Sequence, residues 1–255
     1  MKKAEITSQV CLIDFGPIKM PAVSLGTSPF IGAGQFGQSS LYYREKFLNH
    51  PDNMVALIIK AVSLGIPCVH VLPYKEIIHA VKEAQYQLRQ EIATYFTVGI
   101  GKIDEELDMA ADIGSKVVFI HGSISDRCDS SQMSRLCKKV TLAGFIPGVA
   151  THQPDQTLFW IEDENIDFKV YMVAINPLGY LMGKDPNLTV ELLKRTEKKI
   201  IAKKVLAAGK ISPKGSFSYL KSLNIADGLT IGITSEEEMN QTFQIALELW
   251  PRKEK

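Results

Sequence analysis

Five residues able to move a proton or form a covalent bond stand at or near the ends of short apolar runs. They are His70 in PCVHVL, His121 in KVVFIH, His152 in GVATHQPD, and Lys203 with Lys204 in IIAKKVLAAG. Imidazole near its ordinary pKa is the usual general acid or base at neutral pH. A lysine in an apolar strand loses charge to desolvation, which frees an amine for a Schiff base or for proton transfer. His121 and His152 are therefore read as an acid and base pair, with Lys204 as electrophile or proton donor. Strand alternation turns only one of Lys203 and Lys204 inward, and the sequence does not say which. His70 joins the candidate catalytic set. Tyr74, close behind it in HVLPYKE, is a candidate phenolic acid, with a helix start or packing as the equal alternative. A single histidine more often fills a structural place than a catalytic one. Three of the chain's five histidines at such positions point instead to a shared site. Zinc on His70, His121 and His152 is a further arrangement, but no H-E-x-x-H or other compact motif accompanies them, so no metal is expected.

Short runs rich in Val and Ile alternate with segments of helical period, the pattern of repeated strand and helix units around a parallel sheet. Strands are expected at 22–26, 67–72, 95–100, 116–121, 146–150, 169–175, 199–205 and 228–233. The helices have their own signals. NMVALIIKAVSLG places Met54, Leu57, Ile58, Ala61 and Val62 on one face and stops at Gly65. TSEEEMNQTFQIALEL opens on a Thr234 or Ser235 cap with three acids in its first turn, where the helix dipole favours them. Eight such pairs fit a closed α/β barrel, a (β/α)8 or TIM barrel, better than an open doubly wound sheet. The reading is one domain over 1–255, with 1–20 as an N-terminal hairpin turning at Gly16 and Pro17 and 251–255 as a tail.

The barrel places active-site residues at the carboxyl ends of its strands. Asn176, in MVAINPLG after the sixth strand, is a candidate substrate ligand on that ground. The stretch SPFIGAGQFGQSS sets Gly32, Gly34 and Gly37 at the spacing of a dinucleotide fingerprint. That fingerprint needs a helix opening at the last glycine and an acid about 20 residues on. Here the next strongly periodic helix begins near Asn53, so the glycines are read as a loop over the barrel mouth. Gln35 and Phe36 then become candidate substrate contacts. The following SSLYYREKF could form a short helix.

Composition narrows the partners. With 29 basic and 28 acidic residues the 255-residue chain has a net charge of +1, which offers no electrostatic case for nucleic acid. No apolar run approaches the roughly 18 residues of a membrane span or forms a signal sequence. The expectation is a cytoplasmic protein with a small-molecule substrate and no membrane partner. Cys11, Cys68, Cys128 and Cys137 lack C-x-x-C spacing and are read as reduced thiols.

Several segments resemble aldo/keto reductases over nearly the whole chain. MPAVSLGTSPFIGAG is similar to that family's first strand with its floor hairpin. VVFIHG is similar to the fourth strand with its histidine, AINPLG to the sixth and VLAAGKISP to the seventh. ADGLTIGITSEEEMNQTF is similar to the last strand and helix. The resemblance implies NADP-dependent carbonyl reduction by an Asp, Tyr, Lys and His tetrad. His121 matches the histidine and Tyr74 the tyrosine after a one-residue deletion. His70 stands at the aspartate position, and TVGIGK leaves Lys102 a few residues late for the lysine. Thr151 and His152 replace a Ser-Asn pair, and Met172 falls near an expected glutamine. Acids fill the last helix where an arginine and an asparagine would hold the adenosine phosphate. The resemblance is thus to a divergent branch with a degenerate tetrad. No cofactor is expected unless the reductase chemistry holds, in which case it is NADP. A non-catalytic metabolite-binding barrel is the remaining alternative.

Overall fold

The protein is seen in a computed structural model that describes residues 11–250; residues 1–10 of the expected hairpin and the expected tail at 251–255 lie outside the described residues. The hairpin pairs β1 (Leu12–Asp14) with β2 (Lys19–Pro21) antiparallel, Ile13 opposite Met20. Its turn is closed by Gly16 N–H donating to Asp14 Oδ1 at 2.7 Å, with Gly16 at φ +88°.

Eight parallel strands follow: β3 (Val23–Gly26), β4 (Cys68–Val71), β5 (Ala93–Val98), β6 (Val117–Ile120), β7 (Ile146–Ala150), β8 (Val170–Ala174), β9 (Lys199–Lys203) and β10 (Gly228–Gly232). They form a closed barrel in chain order, β10 returning to β3 from Leu229 beside Val23 to Gly232 beside Gly26. All eight lie on the expected apolar runs, because strands covered on both faces must be apolar almost throughout. Each strand is followed by helix, so the chain is a (β/α)8 barrel with an N-terminal hairpin.

The hairpin shuts the bottom of the barrel. Tyr95 is fully buried and donates its hydroxyl to Pro21 O at 3.0 Å. Phe119 packs beside it, 6.1 Å between ring centroids. Side chains this size each contribute about 1.5–3 kcal/mol when fully buried. With the floor sealed, the open end lies where the strands' carboxyl termini and their loops gather.

The first loop is long and structured. A 3₁₀ segment at Gly34–Ser39 leads into α1 (Ser40–Leu48) and then α2 (Pro51–Ser63). Gly32, at φ +58°, admits no side chain because a Cβ there would collide with Ser40 O. Lys46 Nζ on α1 donates to Thr234 O at 2.7 Å, tying this loop to the one after β10. Among the described residues no helix is long and apolar enough to cross a membrane.

Candidate active site

One cavity of about 220 Å³ opens at the carboxyl ends of the strands, lined by His70, Thr97, His121, His152, Lys203 and Lys204, with Gln35, Phe36 and Tyr43 from the first loop. The expected histidines and lysines therefore share one cavity, though by different means.

His70, near the end of β4, is 6% exposed and lies within hydrogen-bond distance of Thr97 Oγ1, at 2.8 Å from Nε2. Burial, with the charge of Lys203 adding to it, lowers its pKa to about 3. It is a neutral ring deep in the cavity.

His121 follows β6 and caps the short helix α5 (Gly122–Ser125). Its Nδ1 accepts the Ser123 backbone N–H at 3.2 Å and lies 2.9 Å from Ser123 Oγ. An amide nitrogen can only donate, so Nδ1 carries no proton and the neutral ring holds its hydrogen on Nε2. Burial and then Lys203 lower the pKa to about 4, against the opposing pull of Asp126.

His152, after β7, lies against His121 with centroids 5.0 Å apart and planes at 69°. Beneath it, Asp126 accepts the His152 backbone N–H at 3.0 Å and the hydroxyls of Thr151 at 2.6 Å and Thr157 at 2.8 Å. The ring's Nδ1 stays 3.7 Å from Asp126 Oδ2. Burial, then Lys203 and His121, lower its pKa to about 3. Gly122 makes the ring's position available, since a Cβ at that residue would stand 2.5 Å from His152 Nδ1.

Lys203 ends β9 pointing inward, and Lys204 leaves the strand in a left-handed conformation at φ +54°, so both reach the cavity. Strand alternation fails here because Lys204 is past the strand. Burial, and then Lys204, push Lys203 down to about 7. Burial pushes Lys204 down to about 8. Lys204 Nζ donates to Gln35 Oε1, and Gln35 O accepts the Tyr180 hydroxyl at 3.1 Å. The side-chain oxygen of Gln35 is thus held by Lys204 and its backbone carbonyl by Tyr180, at the lining of the cavity mouth. Phe36 stands edge-on to Tyr43 at 5.4 Å, forming the apolar side of the same loop.

Two expected site residues lie elsewhere. Tyr74 does not line the cavity; it precedes α3 (Lys75–Leu88), where its carbonyl accepts the Ile77 and Ile78 amides at 3.0 Å, and its ring packs partly buried on the core. The helix-start reading holds for it. Asn176 also does not line the cavity. Its Nδ2 donates to Tyr180 O at 2.9 Å and to Lys204 O at 3.3 Å, and its Oδ1 accepts from Tyr180 N at 2.9 Å. Every polar atom of that amide is spent on backbone, so Asn176 positions Lys204 and the loop after β8. The glycine-rich stretch forms no dinucleotide turn: it is the 3₁₀ segment kinked at Gly37.

The residues do not fit a nicotinamide dinucleotide held in the reductase manner. In the loop after β5, Gly99 and Gly101 donate their amides to Glu106, and Lys102 points outward, 81% exposed and paired with Glu105 at 2.8 Å. Met172 lines the cavity where an amide would be needed. At the start of α10 (Glu236–Leu249), Glu238 Oε2 accepts Thr234 N at 2.8 Å and Thr234 Oγ1 at 2.9 Å. That helix end already holds its own carboxylate, and an incoming phosphate would meet like charge. Among the described residues no three His, Cys, Asp or Glu side chains gather in an arrangement that could hold a metal.

Thr97, Asp126 and Thr230 belong to the site without having been singled out from sequence. Threonine is common inside apolar strands, and Asp126 lies five residues beyond its strand's last ring. No periodicity distinguishes either.

No family profile matches the sequence, and no curated protein matches it. In fold, the chain is similar to solved aldo-keto reductases. A Pseudomonas aeruginosa protein assigned to that group is 15% identical with a TM-score of 0.68, over 96% of this chain and 98% of the other. The aldo/keto reductase from Brucella melitensis is 12% identical with a TM-score of 0.61, over 92% and 93%. Gox0644, solved as a variant in complex with NADPH, is 12% identical with a TM-score of 0.62, over 96% and 94%. The molecule is therefore a (β/α)8 barrel with the aldo-keto reductase fold. Its own mark is a mouth furnished with three imidazoles and two amines.

Proposed function

We propose that this barrel is an enzyme for a small carbonyl or hydroxy metabolite that moves protons with histidine and lysine and transfers no hydride. The observation that carries the reading is the meeting of His121, His152, Lys203 and Lys204 in one cavity of about 220 Å³. That volume lies below the roughly 300–1,000 Å³ of pockets for drug-sized ligands, which suits a small metabolite.

The roles follow from protonation. His121 Nε2–H donates to a carbonyl oxygen and polarises it while keeping its proton, since neutral imidazole is a poor acid. His152, also neutral, accepts a proton from the carbon beside the carbonyl or from a hydroxyl. The Lys204 ammonium offsets negative charge developing on oxygen in a cavity where burial strengthens every charge interaction.

The second reading, an NADP-dependent reductase, is favoured by the Gox0644 neighbour solved with NADPH. Against it stand Tyr74 and Lys102, neither of which lines the cavity.

A deuterium-exchange experiment tests the first reading. Small aldehydes and ketones are incubated with the protein in D₂O without nucleotide, and their α-proton signals followed by NMR. Exchange above the protein-free rate, lost in His152→Ala, is expected. No exchange with any compound, together with carbonyl-dependent oxidation of NADPH, would replace it with the reductase reading.

A further inference from the structure

Thr230 Oγ1 is the one enclosed side-chain oxygen or nitrogen among the described residues that finds no hydrogen-bond partner. Its residue is 6% exposed and lines the cavity. Buried hydroxyls without partners are costly and uncommon, and in a residue that lines a cavity such a hydroxyl is the group a ligand's polar atom would satisfy. Lys203 stands beside it. Strands β9 and β10 pair Gly228 with Ile201 and Leu229 with Ala202, so one further step sets Thr230 level with Lys203 on the same inward face. Lys203 Nζ makes no hydrogen bond or ion pair among the described residues, unlike Lys204 Nζ, which is held by Gln35.

We propose that Lys203 Nζ is a covalent nucleophile that forms an imine with a small hydroxy-aldehyde or hydroxy-ketone, whose hydroxyl bonds to Thr230 Oγ1. The proposal rests on the proton-transfer reading above and names its substrate class. The Lys203 nitrogen lone pair attacks the carbonyl carbon and forms the N–C bond, while the C=O π pair moves to oxygen, which His121 Nε2–H holds. One proton then passes from the new ammonium to that oxygen by way of His152, giving a neutral carbinolamine. The Lys204 ammonium protonates the carbinolamine hydroxyl, the C–O bond breaks to release water, and the nitrogen lone pair closes the C=N bond. The product is a Lys203 iminium and a neutral Lys204, which takes its proton back from solvent. No oxidant or reductant enters. Burial lowers both amines and the charge of Lys204 lowers Lys203 further, so Lys203 is the first of the pair to lose its proton and Lys204 the one that keeps it.

Reductive trapping tests this directly. The full chain is incubated at pH 7 with dihydroxyacetone and sodium cyanoborohydride, then digested and mapped by mass spectrometry, with exposed Lys102 as internal reference. Lys203 should be labelled at least ten-fold faster than Lys102, and dihydroxyacetone should label it several-fold faster than acetone. Thr230→Val removes only an unpartnered hydroxyl; it should melt no lower than wild type and erase the preference over acetone. Labelling of Lys203 no faster than Lys102, or an adduct confined to Lys204, overturns the proposal. If α-proton exchange persists without a Lys203 adduct, the imine fails and the proton-transfer reading stands. If neither occurs, both fail.

Discussion

His121 Nδ1 accepts the backbone N–H of Ser123 at 3.2 Å, and that bond fixes which face of the ring can serve a substrate. With Nδ1 occupied and the pKa lowered to about 4 by burial and then Lys203, the ring stays neutral with its hydrogen on Nε2. Nitrogen-15 NMR should find this single tautomer from pH 5 to 8. A ring that becomes imidazolium near pH 6.5 contradicts it. Where a substrate is in hand, His121→Ala should cost about 10²–10³ in turnover, the scale for losing one donor to a developing oxyanion.

Lys203 should weaken the fold that holds it. Its ordinary pKa of 10.5 falls to about 7 on folding, burial being the larger cause. Between those values the unfolded chain binds more protons than the folded one, so stability rises with pH through that window. The histidines act in the same direction lower down: each falls from 6.5 to about 3 or 4, so stability is lost as pH drops below about 6.5. Thermal melts should rise from pH 7 to 9.5 in the wild type and rise less in Lys203→Met. That variant should gain roughly 1–2 kcal/mol at pH 7 while losing turnover, the trade expected of a functional residue. A destabilised Lys203→Met would count against it.

Gly122 and Asp126 place His152 from two sides. Adding a Cβ at Gly122 puts carbon 2.5 Å from His152 Nδ1, so the ring must move. Gly122→Ala should cost about 1–3 kcal/mol and reduce turnover further than that loss of stability explains. Asp126→Ala strands the Thr151 and Thr157 hydroxyls and the His152 amide, and should cost about 1–3 kcal/mol. Denaturant melts and turnover of both variants check this. A Gly122→Ala protein with unchanged turnover and unchanged His152 chemical shifts contradicts it.

The barrel was legible because its strands are doubly covered and so write themselves as apolar runs. The hairpin's turn was legible in Gly16, which needs its positive φ. The site was legible only as strand-end polarity, a rule that finds His70, His121, His152 and the lysine pair but also gathers Asn176, whose amide is spent on backbone. It could not choose between Lys203 and Lys204, since alternation presumes an extended chain and Lys204 turns left-handed. Tyr74 carried two readings, and only the packing of its ring on the core separates them. Thr97, Asp126 and Thr230 gave no sequence signal, because what marks them is a partner, three donors or a missing partner in space.

We propose that this barrel, similar in fold to solved aldo-keto reductases, acts without a nicotinamide nucleotide. Titration of the purified protein with NADPH and NADH, followed by nucleotide fluorescence and by heat, tests it most directly. Glu238 at the α10 terminus and Met172 in the cavity predict no saturable binding of either nucleotide at micromolar concentrations. Saturable micromolar binding would contradict the account and return the site to hydride chemistry.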